Sequence, residues 1–288
     1  MSTARLALYG HPVGHSLSAV MFEAAFRAAG RDASYELVDV PHRSALAGEI
    51  ARIRSGERLG ANVTLPHKRA ALELAGRATP EALEVGASNL LFRTADGEVC
   101  ADNTDVGALL AEIEPLVTRP VTALVLGAGG AARAAVVAAR RAGCRTVWQV
   151  ARRFEPAREA GAERAPHEPD ERLPWPTAGA PLQPPGRIEL VLQATSVGML
   201  GADDGALLVS MLPWSALGEG AALYDLVYRP EATALVRAAR ARGLEARGGL
   251  GMLVRQAEAG YARFFGGEPP RGIMEQAALE ALRAGSGR

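Results

Sequence analysis

Val121–Leu126 (VTALVL) is a near-continuous apolar run that passes directly into Gly127-Ala-Gly129-Gly-Ala-Ala132. A strand exposed on one face alternates apolar and polar residues. An unbroken apolar run belongs to a strand buried on both faces, as in a parallel sheet covered by helices. An Ala-rich helical stretch follows to Ala142 and stops at Gly143, and Thr146–Val150 reads as the next strand. Together these make a βαβ unit. In that setting G-x-G-x-x-A marks a dinucleotide site. Gly127 permits the tight turn, Gly129 lets the backbone approach a pyrophosphate, and Ala132 keeps the helix close to the sheet. The backbone of Gly127, Ala128, Gly129, Gly130 and Ala131 then faces the phosphates, helped by the positive end of the helix. The alternative is a Gly-rich turn with no ligand.

The second strand of such a unit ends, in NAD sites, on an acidic residue for the ribose 2′-hydroxyl. Here it ends Val150-Ala151-Arg152-Arg153. Two guanidiniums stand where a carboxylate would, and guanidinium suits a 2′-phosphate. NADP is therefore the expected cofactor, with Arg152 and Arg153 as ligands; the alternative is two solvated surface arginines.

The N-terminal part alternates short strands and helices. Arg5–Tyr9, Tyr35–Val40 and Ala61–Leu65 read as strands, and Leu17–Ala29 and Ser44–Arg54 as helices, with Ser44 a candidate N-cap. Asp96-Gly97, flanked by Leu90–Arg93 and Glu98–Ala101, signals a hairpin. Asp105–Leu116 reads as a helix. Beyond the βαβ unit, Pro166–Gly186 is proline-rich and reads as a surface loop. Ile188–Gln193 and Ala222–Leu226 read as buried strands, and Glu231–Arg242, Gly251–Phe265 and Ile273–Ala284 as helices. The pattern is α/β in two domains: a substrate-binding and catalytic domain of residues 1–104 with 250–288, and a Rossmann-like dinucleotide domain of residues 105–249. A cleft between them is the expected place for the reaction.

Charge narrows the partners. Thirty-two basic residues balance thirty-two acidic ones in 288 residues. A chain without a basic surplus lacks the electrostatic footprint of nucleic-acid binding and of a polybasic membrane anchor. No apolar run reaches membrane-spanning length. Two cysteines make no disulfide framework, so a reducing cytoplasm is the default compartment; a small-molecule substrate and a monomer or homodimer are the expected partners. The five histidines form no metal-ligand spacing, and no metal is expected.

Of the basic residues only Lys68 is lysine, and the only asparagines are Asn62, Asn89 and Asn103. All four fall between 62 and 103. Where Arg serves everywhere else, a lone Lys points to work that guanidinium does not do: an ammonium in a suitable environment gives up its proton near neutral pH. Reduction of a ketone by hydride places negative charge on oxygen, and a donor beside that oxygen lowers the barrier. A carboxylate would hold the ammonium in place; Asp105 is the choice and Asp102 the alternative. The bland reading of Lys68 is an exposed residue at a helix start after Pro66.

The ordered motifs resemble the shikimate dehydrogenase family over most of the chain. His15-Ser16-Leu-Ser18 is similar to its carboxylate-binding motif, Asn62-Val-Thr64-Leu-Pro-His-Lys68 to its catalytic lysine segment, and Asp102-Asn-Thr-Asp105 to its D-N-T-D motif. Asn89 matches a substrate-binding position, and Ala194-Thr-Ser-Val-Gly-Met199, Asp225-Leu-Val-Tyr228 and Gly251-Met-Leu-Val-Arg-Gln256 match later segments. The resemblance implies NADPH-dependent reduction of 3-dehydroshikimate to shikimate, on the route to aromatic amino acids. It implies Lys68 and Asp105 as the catalytic pair. Ser16, Ser18, Asn62, Thr64, Asn89, Asp105, Tyr228 and Gln256 would bind substrate. Thr195, Gly249 and Met252 would join the glycine loop around the cofactor. The plain alternatives are helix capping for Ser16 and Ser18 and a core aromatic for Tyr228. The chain departs from the family at Ala19, Leu90, Ala151 and Gly248. A paralogue acting on quinate or aminoshikimate, and a non-catalytic NADP sensor, are the other readings.

Overall fold

The structure is a computed structural model that describes residues 3–118, 120–154, 164–176, 180–199 and 205–285. In chain order the elements are β1 (Ala4–Gly10), α1 (Ser18–Ala28), β2 (Ala33–Asp39), α2 (Arg43–Arg54), β3 (Gly60–Val63), α3 (Lys68–Leu74), β4 (Arg77–Ala78), α4 (Pro80–Val85), β5 (Leu90–Arg93), β6 (Val99–Asp102) and α5 (Asp105–Ile113). There follow β7 (Thr122–Leu126), α6 (Gly130–Arg141), β8 (Thr146–Ala151), β9 (Glu171–Pro174), β10 (Ile188–Gln193), α7 (Ala206–Met211), β11 (Leu217–Asp225), α8 (Ala234–Arg240), β12 (Glu245–Arg247), α9 (Leu250–Phe265) and α10 (Ile273–Gly285).

The chain divides into two compact units, Met1–Asp105 with Val254–Arg288, and Val106–Leu253. The first division falls after the first residue of α5 and the second inside α9.

The first unit has a mixed sheet in the order β2-β1-β3-β5-β6-β4. β1 runs parallel to β2 and β3, and the hairpin at Asp96-Gly97 makes β5 and β6 antiparallel. Ala7, Tyr9, Leu46, Ile50, Ile53, Val63 and Leu91 fill one core of this sheet. On α1, Phe22 and Phe26 pack against Tyr261 and Phe264 or Phe265 of α9, with ring centroids 5.7–6.4 Å apart. Aromatic pairs at such separations add to the stabilisation from burial.

The second unit is a parallel sheet in the order β12-β11-β10-β7-β8-β9. The apolar run ending at Leu126 forms its centre: β7 pairs with β10 on one side and β8 on the other, and Ala123, Leu124, Val125 and Leu126 are fully buried. On α6, Ala132, Ala134, Ala135, Ala138 and Ala139 are fully buried, so small side chains bring the helix close against the strands.

Four local expectations are corrected. The segment 166–186 is not simply a loop: β9 extends the sheet beside β8, and Leu182 joins the core. Residues 177–179 of that segment lie outside the described residues. The strand Glu-Arg-Leu-Pro has no β-branched residue, and its Pro174 is tolerated because β9 is an edge. α2 begins at Arg43, with His42 at the cap position and no side-chain cap bond. α8 begins only at Ala234, because Thr233 caps it by accepting from the Val236 N–H while its own hydroxyl is bound elsewhere. α1 begins at Ser18, one residue after the expected Leu17, which makes no side-chain cap bond; Ser16 Oγ instead accepts from the Ser18 N–H at 3.2 Å and satisfies one donor of the first turn. Among the described residues no helix is long and apolar enough to cross a membrane, and no cluster of side chains fits a metal ion.

Candidate active site

In the first unit, Lys68 is the first residue of α3 and Asp105 the first of α5. Lys68 Nζ donates to Asp105 Oδ2 at 2.6 Å, with side chains 12% and 5% exposed. The pair is thus held out of bulk solvent, where a charge interaction is stronger than at an exposed surface. Asp102 does not compete for the lysine. Its Oδ1 accepts from the Thr79 hydroxyl at 2.6 Å and the Asn103 N–H at 2.9 Å, and its Oδ2 lies 2.8 Å from Arg263. The choice that sequence left open between the two carboxylates is made by these partners.

The D-N-T-D segment folds around its own amides. Asn103 Oδ1 accepts from the Asp105 N–H at 3.0 Å, satisfying a donor at the start of α5, while Asn103 Nδ2 donates to the Ala87 carbonyl at 2.9 Å. Asn89 then braces Asp105 from the other side. Its Nδ2 donates to Asp105 Oδ1 at 2.8 Å and to Thr104 Oγ1 at 2.9 Å, and its Oδ1 accepts from the Thr104 N–H at 2.8 Å. Both amide protons of Asn89 are therefore committed, which makes it a support of the carboxylate. Thr104 Oγ1 also donates to the Gln256 carbonyl of α9 at 3.2 Å, bringing that helix to the same place.

The remaining polar residues of this unit form a second group. Ser16 Oγ donates to Ser18 Oγ at 3.1 Å and accepts from the Ser18 N–H at 3.2 Å. Asn62 is buried on β3, next to Asn89 through the 2.8 Å bond from the Val63 N–H to the Asn89 carbonyl. The β-carbon position of Gly260, one turn beyond Gln256 on α9, is 3.3 Å from Asn62 Nδ2. Thr64 is half-buried; its N–H donates to the Tyr9 carbonyl and its carbonyl accepts from the His67 N–H. His67 itself is buried and bonds the Val40 carbonyl at 2.6 Å, a structural role. Tyr35, which the sequence reading took only as a strand residue, donates its hydroxyl to Asn62 Oδ1 at 2.9 Å. A buried tyrosine hydroxyl needs such a partner, and that requirement was the available signal.

In the second unit the glycine loop follows β7. Gly127 has φ +117, and a β-carbon there would come within 2.9 Å of the Ala194 carbonyl. Only glycine avoids both the strain and the contact. Gly129 sits at the N-cap of α6 with no side-chain cap bond, and the first turn carries no acidic residue, so Gly130 and Ala131 leave their backbone donors to a ligand. Arg152 and Arg153 are exposed directly after β8, and the Arg152 guanidinium lies 5.9 Å from the Trp175 ring centroid. A cradle of backbone N–H groups, with guanidiniums at the neighbouring strand end, fits a dinucleotide bearing an extra phosphate.

Beside the glycine loop, at the ends of β10 and β11, lies a buried polar knot. Asp225, fully buried, accepts from the Thr233 hydroxyl at 2.6 Å, the Val227 N–H at 3.0 Å and Gln193 Nε2 at 3.3 Å. Burial pushes its carboxyl up to about 6, against the pull of these three donors. Gln193 in turn accepts from the Thr195 N–H at 2.6 Å and donates to the Val197 carbonyl at 3.0 Å. The knot thus fixes the loop carrying Thr195 and the turn carrying the half-buried Tyr228. Gly249 is packed so tightly that a β-carbon would fall 2.2 Å from the Leu226 carbonyl. Met252, buried beside it, donates its N–H to the Tyr224 hydroxyl at 3.1 Å.

Residues 8–91 match the shikimate dehydrogenase substrate binding domain and residues 249–279 the shikimate 5'-dehydrogenase C-terminal domain. A shikimate dehydrogenase (NADP(+)) of Methylobacterium radiotolerans is 40% identical over 93% of this chain and 94% of its own. One from a Geobacter species is 41% identical over 96% and 94%. Among solved structures, shikimate 5-dehydrogenase of Thermus thermophilus in complex with NADP(H) and shikimate is 35% identical, with a TM-score of 0.77 over 97% of this chain and 100% of that one. With identity at this level along nearly its whole length, the chain belongs to the shikimate dehydrogenase family.

Proposed function

We propose that the chain is an NADP-dependent oxidoreductase that interconverts 3-dehydroshikimate and shikimate, with Lys68 as proton donor and acceptor. The observation that carries this reading is the sequestered pair of the chain's only lysine with Asp105. NADP, held by the glycine loop with Arg152 and Arg153, would supply or accept the hydride when bound. Lys68 gives its proton to the carbonyl oxygen as that oxygen gains charge, and takes it back when the alcohol is oxidised. Asp105, itself held by Asn89 and the Asn103 turn, keeps the ammonium aimed at that oxygen. Ser16, Ser18, Asn62, Thr64, Asn89 and Gln256 offer neutral hydrogen-bonding groups of the kind that suit a polyhydroxylated acid, and Tyr228 is assigned to the same task. Gly127, Ala128, Gly129, Gly130, Ala131, Arg152, Arg153, Thr195, Gly249 and Met252 are assigned to the cofactor. The departure at Gly248, where the resemblance implies an Asp, has a steric side: a β-carbon there would lie 2.6 Å from the Glu231 carbonyl. Leu90 is fully buried against α9, so its departure changes the core.

The test is NADP+ reduction followed at 340 nm with shikimate, quinate and aminoshikimate in parallel, repeated with NAD+. Shikimate with NADP+ is expected to give the highest kcat/KM. A higher value with quinate or aminoshikimate overturns the substrate, and a higher value with NAD+ overturns the assignment of Arg152 and Arg153.

A further inference from the structure

Tyr35 is buried on β2, stacked on Phe22 with ring centroids 4.4 Å apart and planes 18° from parallel. Its backbone N–H is held by the Glu23 carboxylate at 2.9 Å. The ring is therefore fixed, and so is its oxygen. A phenol has one proton, and this one is spent on Asn62 Oδ1 at 2.9 Å. That bond ends on an amide whose other atom, Nδ2, is buried and has no hydrogen-bond partner among the described residues. A buried donor without a partner is costly. It persists in native structures where a ligand completes it.

We propose that Tyr35 is a positioning residue for substrate binding: its hydroxyl, fixed by the ring stack on Phe22, locks the Asn62 amide so that Nδ2 faces the substrate as a donor. This rests on the reading of Ser16 and Asn62 as substrate ligands given above. Tyr35 touches neither Lys68 nor Asp105 in the hydrogen-bond pattern, so its effect belongs in substrate affinity and not in turnover. Without the phenol proton, Asn62 loses the one partner its side chain has among the described residues, and the amide is free to turn its oxygen toward the substrate.

The experiment is steady-state kinetics of Tyr35→Phe, which keeps the ring stack, with shikimate varied and NADP+ saturating. The KM for shikimate is expected to rise about five- to tenfold, as for loss of one hydrogen bond, with kcat within about twofold and the KM for NADP+ unchanged. In an Asn62→Ala background the same substitution is expected to add almost nothing, because the residue it acts through is gone. Three outcomes overturn the proposal: a wild-type KM in Tyr35→Phe while Asn62→Ala raises it, an equal rise in both backgrounds, or failure of Tyr35→Phe to fold, which would make the hydroxyl a prop of the core. If Asn62→Ala and Ser16→Ala both leave KM untouched, the ligand assignment has failed first, and the proposal falls with it.

Discussion

At the scale of single residues, the proposed proton transfer divides its labour between Lys68 and Asp105. If Lys68 carries the proton, Lys68→Ala should lower kcat by about 10²–10⁴-fold and disturb KM less, since the group acts where charge develops. Lys68→Arg separates proton transfer from electrostatics. Guanidinium keeps the charge and the hydrogen bond but stays protonated at any working pH, so its kcat should fall nearly as far. Turnover close to wild type in Lys68→Arg, at saturating shikimate, would sink the assignment. The pair was readable from sequence because it rested on residue type, in a chain where lysine is scarce. The bonds by which Asn89 braces Asp105 were not, because Thr104 and Asp105 come within reach of that amide only when β5 pairs with β6.

Among elements, Asp225 at the end of β11 has the clearest consequence. Its folded-state carboxyl is raised to about 6 from an ordinary 3.8, so the folded protein holds that proton more tightly than the unfolded chain does. Stability from this group is therefore fully present below pH 4 and is lost as pH rises toward 6. A shift of that size corresponds to about 3 kcal/mol. Comparing urea unfolding of the wild type and Asp225→Asn between pH 4 and 7 isolates it: the difference in stability between the two proteins should change across that window. A difference that stays constant with pH would refute the buried charge. The elements of the second unit were largely legible because β7, β8, β10 and β11 are apolar runs with no competing periodicity. β9 was hidden because an edge strand asks little of its residues. α4 carried its signals in full, with Thr79 as N-cap, Pro80 after it and Gly86 in the left-handed conformation at its end, but at six residues it was too short to show helical periodicity.

The whole molecule consists of two units, each with its own sheet, its own core and its own polar groups. The proposed substrate ligands other than Tyr228 belong to the first, and the proposed cofactor ligands to the second. Hydrogen exchange should register this. NADP+ alone should slow exchange around Gly127–Arg133, and shikimate alone around Asn62–Lys68 and Asn103–Asp105. Ligand at a hundredfold excess over its Kd stabilises the form that binds it by about 2.7 kcal/mol, enough to be seen. Protection by NADP+ confined to residues 3–105 would contradict the division of roles.

The scarcity of lysine also makes the protein its own reporter. Apart from the N-terminus, the one primary amine in the chain is the one ion-paired to Asp105. Reductive methylation with isotopically labelled formaldehyde would therefore place two magnetic probes at the proposed proton-transfer group and on no other side chain. Their resonance would follow the charge of that nitrogen directly, titration by titration, without mutating a residue.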